Sequence, residues 1–217
     1  MAIWVLFAVI GVGVAVAVTV ARKLDRKRRD ALVDRAKELG LEIHWYLPAE
    51  DREPFQRFDW SKKGSKRSSD TTIVADTGET RLLVFEHVVI TDNGKGQHRN
   101  YYLIGMARDR RLDAPPLTLQ PRTWQTTVAG WFGYQAIEFS SDPAFGSMFC
   151  VRGTSPEGIE TFLNPKFREH AKTLPKLQMA TSGDTLIVIQ SRTRLKAENL
   201  RTSLDATYRI FKLLLPE

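Results

Sequence analysis

Cysteine is nearly absent: Cys150 is the one thiol in 217 residues, so the chain holds neither an internal disulfide nor a cysteine-cluster metal site. A lone thiol fits a reducing compartment. Histidine is scarce too, at four residues, and a metal or catalytic site would need several of them converging with acids. Charge is missing altogether from Met1 to Ala21. At about 1.5 Å rise per residue, an apolar helix of that length covers the roughly 30 Å hydrocarbon core of a bilayer. The run predicts a transmembrane helix over 1–21.

Directly behind it stand Arg22, Lys23, Arg26, Lys27, Arg28 and Arg29, with Asp25 the only acid among them. Cytoplasmic flanks of membrane helices carry an excess of Lys and Arg. The expected topology is therefore a single pass through the inner (cytoplasmic) membrane, N-terminus out, with everything after Arg22 in the cytoplasm. A cleaved signal peptide is the alternative, since Ala15-Val16-Ala17 has small residues at cleavage-site spacing. The missing basic n-region, the length of the apolar run and the positive patch behind it argue against that alternative. Gly11 with Ala15 and Gly13 with Ala17 form two small-xxx-small pairs, through which two copies of the span can dimerise.

The formal net charge is +7, of which 22–29 carries +5, leaving +2 for the rest. The bases sit where anionic headgroups of the lipid bilayer meet them, each contributing about 1 kcal/mol near the surface. Nucleic acid is disfavoured as a partner, because the later basic groups (Lys62, Lys63, Lys66, Arg67; Arg108, Arg110, Arg111) are short and read as loops. A basic juxtamembrane helix is expected over 22–40, with apolar Ala31, Leu32, Ala36 and Leu39 on one face and Gly40 closing it.

The remainder, 41–217, is long enough for one domain with its own core. Leu41 to Trp45 alternates like a strand, and Pro54 to Phe58 suits a helical turn. Ser61 to Asp70 lacks aliphatic residues and reads as a loop prone to disorder. Thr71 to Ala75, Arg81 to Thr91 and His98 to Arg108 predict a three-strand meander. Leu117 to Leu119 extends after Pro115 and Pro116, and Ala136 to Ser140 with Gly146 to Arg152 suggests a hairpin around Asp142-Pro143. Ser155-Pro156 and Asn164-Pro165 start two short helices, since an interior proline costs about 3 kcal/mol. Strands follow over Lys176 to Thr181 and Thr185 to Gln190. Leu200, Leu204, Tyr208, Phe211 and Leu215 then recur at helical spacing. The class is α+β, a mainly antiparallel sheet with packed helices.

Chemistry is harder to find. A hairpin turning about Gly94 puts His87 across from Tyr101 and His98 across from Ile90, on opposite faces. His170 has no ligand-type residue at i+4. Cys150 lies mid-strand, where it serves as a small apolar side chain. Asn93 to Gly96 lacks the spacing and the following helix of a phosphate loop. No cofactor or metal is implied. Trp124, Trp131, Phe132 and Tyr134 crowd one segment with two glycines, a composition that supplies interface anchors or covers a sheet, and we count them as candidate contacts for a protein partner. The order of elements resembles a group of uncharacterised bacterial single-span membrane-anchored proteins. The likeness is carried by Arg28 to Leu32, Leu39-Gly40-Leu41, Val84 to His87, Leu117 to Pro121, Ile137-Glu138-Phe139 through Pro143 and Phe145, Val151-Arg152-Gly153, Gly183 to Val188 and the last helix. Tyr101 to Ile104 departs from the Gln-Thr-Val of that group. The resemblance implies the architecture and no activity. A membrane-tethered binding or adaptor domain is expected. The alternative is an enzyme on a membrane-associated substrate, which needs His87, Glu86 and an acid such as Asp76 or Glu79 to converge.

Overall fold

A computed structural model describes residues 2–62, 66–92, 94, 96–122 and 136–216, with side chains for all of these except 2–18, 66 and 67. Helix α1 runs without a break over Ala2–Glu38. Gly40 ends it with a positive φ of 66°, the Leu41 N–H donating to the Ala36 carbonyl and the Gly40 N–H to that of Lys37. That pair of bonds satisfies carbonyls the helix would otherwise leave open. Leu32 and Ala36 are fully buried, so the last turns of α1 belong to the domain. Among the residues whose side chains are described, no helix is long and apolar enough to cross a membrane; the uncharged run from Met1 lies almost wholly outside them, as do the small-residue pairs at Gly11, Gly13, Ala15 and Ala17.

The chain is α+β, built on eight antiparallel strands in one sheet. They are β1 (Glu42–His44), β2 (Lys66–Asp76), β3 (Arg81–Asp92), β4 (Gln97–Arg108), β5 (Ala114–Pro121), β6 (Phe149–Gly153), β7 (Met179–Gly183) and β8 (Thr185–Ser191). Their order across the sheet is β1-β2-β3-β4-β8-β7-β5-β6. The helices after α1 are α2 (Ala49–Gln56), α3 (Pro143–Met148), α4 (Pro156–Phe162), α5 (Pro165–Lys172) and α6 (Ala197–Leu214). Leu82 to Val89 of β3 are all buried, as in a strand covered on both faces, with Glu86 and His87 the two polar residues among them. On one face Val84 and Leu103 pack with Leu32 of α1 and Leu200 and Phe211 of α6. On the other, Leu83, Phe85 and Ile104 pack with Phe55 of α2 and Phe58. Gly105 allows α6 to lie close, because a Cβ there would stand 1.9 Å from Thr207 Oγ1.

Several sequence expectations need correction. Lys66 to Asp70 is not a loop: it is the first half of β2, paired with β3 from Ile90 to Glu86. Arg108 likewise ends β4, and Lys63 falls outside the described residues. The β3–β4 hairpin pairs His87 with Tyr102 and His98 with Thr91. The two histidines therefore share a face, but His98 sits four positions along β3, about 13 Å away at strand rise. Asp142-Pro143 opens a helix instead of a hairpin: Asp142 Oδ1 accepts the Phe145 N–H at 3.0 Å and Pro143 takes the first position of α3. Residues 136–139 still approach β6, the Ile137 N–H reaching the Val151 carbonyl. Pro115 and Pro116 lie inside β5, where its register with β7 shifts. Pro54 lies inside α2, and the Glu50 carbonyl four residues back, which a proline cannot serve, accepts Arg108 Nη1 instead. On α6 the buried stripe includes Thr207, Ile210 and Leu214, and Tyr208 is exposed.

Candidate functional site

The expected membrane-flanking bases separate into two kinds. Arg22, Lys23, Arg26, Lys27 and Arg29 are exposed, whereas Arg28 turns into the domain. Arg28 Nη1 donates to Glu86 Oε1, and the same nitrogen reaches the Leu195 carbonyl at 3.2 Å. Glu86 is fully buried, accepts the Leu195 N–H at 2.7 Å and has Arg194 Nη2 at 3.5 Å. One carboxylate thus joins α1, β3 and the connection from β8 to α6. Arg29 lies over the Trp45 ring with 5.4 Å to the centroid, and Arg194 over Tyr101 at 4.7 Å.

On the opposite face, His87 is buried, 3.3 Å from Ser69 Oγ through Nδ1 and edge-on to Phe55. It stands in an open recess of about 740 Å3 that Tyr46, Leu47, Arg52 and Lys62 also line. Adjacent residues of a strand point to opposite faces, so Glu86 and His87 do not meet. Asp76 is held by Arg81 at 2.7 Å and Glu79 lies 3.5 Å from Arg111. The convergence that catalysis needs is therefore absent from this group of four. His44 contacts Glu42 at 3.4 Å, and among the described residues no group of three or more His, Cys, Asp or Glu is placed to hold a metal ion. Cys150 is buried on β6. Trp124, Trp131, Phe132 and Tyr134 lie outside the described residues.

The remaining charges brace the fold. Asp51, fully buried, receives Arg81 through both oxygens at 3.0–3.1 Å and Arg108 at 3.1 Å, tying α2 to β3 and β4. Burial works against the Arg81 charge, but Asp51 and Asp76 outweigh it and raise its pKa above the usual value. The Arg111 guanidinium, the Thr80 hydroxyl at 2.6 Å and the Arg111 N–H hold the Asp109 carboxyl well below the ordinary range, against its burial. Asp142 is buried in a direction that raises its pKa, yet the Phe145 N–H and Lys172 bring it below normal.

Sequence reasoning missed Glu86 and Asp51 as tie points. The signal was present for Glu86, a lone acid within the apolar run Leu82 to Ile90, because a buried charge must find a partner. Arg194 carried no such mark.

No protein-family model matches the chain, and no curated protein matches it. Among solved structures it is similar to the crystal structure of the mycobacterial trehalose monomycolate transport factor A, TtfA, with a TM-score of 0.53 and 12% sequence identity. The similarity covers 88% of this chain and 95% of that one. What is shared is the fold. It extends over nearly the whole of both chains, so the eight-stranded sheet and its helices form one architecture and not a local motif.

Proposed function

We propose that this chain is a single-span protein of the inner membrane whose α+β domain is a non-catalytic adaptor in the cytoplasm, serving a transport assembly. The observation that carries the reading is α1, one continuous helix from an uncharged N-terminal run into the buried contacts of Leu32 and Ala36. A helix inserted through Met1 to Ala21 then holds the domain directly beneath the bilayer, with no linker between. Arg22, Lys23, Arg26, Lys27 and Arg29, all exposed, lie at the anionic inner leaflet. The kinship with single-span bacterial proteins of unassigned role belongs to the same proposal.

Two things favour an adaptor over an enzyme. The buried carboxylates Glu86 and Asp51 are consumed by arginines that join elements of the fold, and Asp109 by the neighbouring Arg111. The fold is that of a transport factor by name, which supports an accessory role in moving lipid and supplies no substrate. The enzyme alternative rests on His87 and Ser69 in their recess. Proximity labelling in cells from a ligase fused after Glu217 tests the reading. A short, reproducible set of inner-membrane transport proteins among the labelled neighbours supports it; labelling of extracytoplasmic proteins overturns the topology.

A further inference from the structure

We propose that the recess between α1, β2–β4 and the β8–α6 connection binds a phosphate ester, supplied by an anionic phospholipid headgroup. The inference rests on the membrane reading above and adds a built site to it. The recess has a volume of about 280 Å3, and its polar wall is made by Arg28 and Arg29 of α1, Arg99 of β4 and Arg194, together with Asp25 and Asp70. These groups come from four separate stretches of the chain, so only the folded domain assembles them.

The charge balance favours an anion. Asp25 is compensated by Arg194 at 3.5 Å and Arg28 at 4.0 Å. Glu86, which does not line the recess, is occupied by Arg28, Arg194 and the Leu195 N–H. Four arginines thus stand against two carboxylates, Asp25 and Asp70, in the lining of the recess, Arg29 lying also over the Trp45 ring. Among the described residues the Nε–H groups of Arg28 and Arg194 are buried and make no hydrogen bond, Arg28 Nε standing 4.0 Å from Asp25. Buried donors without acceptors are costly, and these two belong to side chains that line the recess. Guanidinium forks match phosphate oxygens in bidentate geometry.

Position selects the source. Arg28 follows Arg22 by six residues, about 9 Å along the helix axis, and Asp25 by about 4–5 Å. With Ala21 at the edge of the hydrocarbon, the recess stands at and just below the headgroup layer, which is about 5–8 Å thick on each side. The topology signal explains the bases of 22–29, but it does not explain Arg99 or Arg194, which are remote in sequence and meet the same space.

The test uses the full chain in detergent micelles, titrated with dihexanoyl phosphatidylglycerol, with dihexanoyl phosphatidylcholine and with glycerol 3-phosphate, bound ligand being counted by native mass spectrometry. Arg99 is exposed, so Arg99→Gln leaves the fold intact; Arg26→Gln removes an equal charge outside the recess. The expected result is preference for phosphatidylglycerol, weakened about tenfold by Arg99→Gln and by less than about twofold by Arg26→Gln, as loss of one charge-assisted bond implies. Equal losses in the two variants overturn the recess in favour of diffuse attraction. Glycerol 3-phosphate binding as tightly as the lipid, and equally dependent on Arg99, upholds the phosphate site but overturns the lipid source. Membrane fractionation of the same protein separates this from the tether: a membrane-bound protein indifferent to Arg99 loses only the recess, whereas a protein found free of membranes that binds glycerol 3-phosphate loses only the tether.

Discussion

Replacing Glu86 by Ala is the perturbation with the largest expected effect on how α1 is held. The carboxylate is fully buried, and Arg28, with only 16% of its side chain exposed, is left mostly buried without its main counter-charge once it is gone. Breaking a buried ion pair by removing one partner costs about 3–5 kcal/mol, and the Leu195 N–H, 2.7 Å from Glu86 Oε1, loses its acceptor as part of that cost. Arg194 adds little, since it is 37% exposed and 3.5 Å away. Set against a usual total of about 5–15 kcal/mol, this is a large fraction. Urea unfolding of the full chain in a mild detergent, followed by near-ultraviolet circular dichroism, measures it. The double variant Glu86→Leu with Arg28→Met removes both charges, so it should be less destabilised than the sum of the singles by at least about 2 kcal/mol. Glu86→Ala costing under about 1 kcal/mol, with a coupling within about 0.5 kcal/mol of zero, would show that α1 is held by Leu32 and Ala36 alone and refute the argument.

Two further outcomes follow from local geometry. Gly105→Ala forces a Cβ against Thr207 Oγ1 and should destabilise by about 1–3 kcal/mol; Thr207→Ser, which keeps the clashing oxygen, should not rescue it, whereas Thr207→Ala should recover part of the loss, as thermal unfolding of the three variants will show. Asp109, whose folded-state pKa is depressed, contributes stability that is fully present above its unfolded value of about 3.9 and is lost as pH falls through the folded value. Asp109→Asn should therefore be less stable than the parent by a constant margin from pH 5 to 7, a margin that narrows below about pH 4 in urea titrations; a margin unchanged down to pH 2 contradicts the assignment.

The parts legible in the sequence are those whose causes are local. Gly40 closes α1 through bonds that span five residues, and Asn164-Pro165 starts α5 with the Asn164 side chain accepting the Phe167 N–H. Asp142-Pro143 reads as a hairpin turn, yet the same pair also suits a helix start, and Phe145, which α3 buries against Phe139, Phe149 and Phe167, decides for the helix. The strand half Lys66 to Asp70 looked like a loop since β1 pairs only with Thr72 to Val74, leaving that stretch of β2 at the rim with polar side chains. A hairpin misplaced by one residue reversed the relation of His87 to His98, because every side chain changes face with a one-residue slip. The partners of Glu86 were out of reach, Arg28 and Arg194 being 58 and 108 residues away.

The position of β8 has a consequence for how the chain acquires its shape. It is the last of the eight described strands in chain order, yet it lies in the middle of the sheet, between β4 and β7. Until Thr185 to Ser191 has emerged, the β1–β4 half and the β5–β7 half have no strand joining them, and β4 presents Tyr102 to Arg108 as an open edge. Such an edge is a template for pairing with another chain, and contacts this distant in sequence form slowly. Chains ending before Thr185 are therefore expected to aggregate more readily than the full chain, since one seven-residue strand joins the two parts of the sheet.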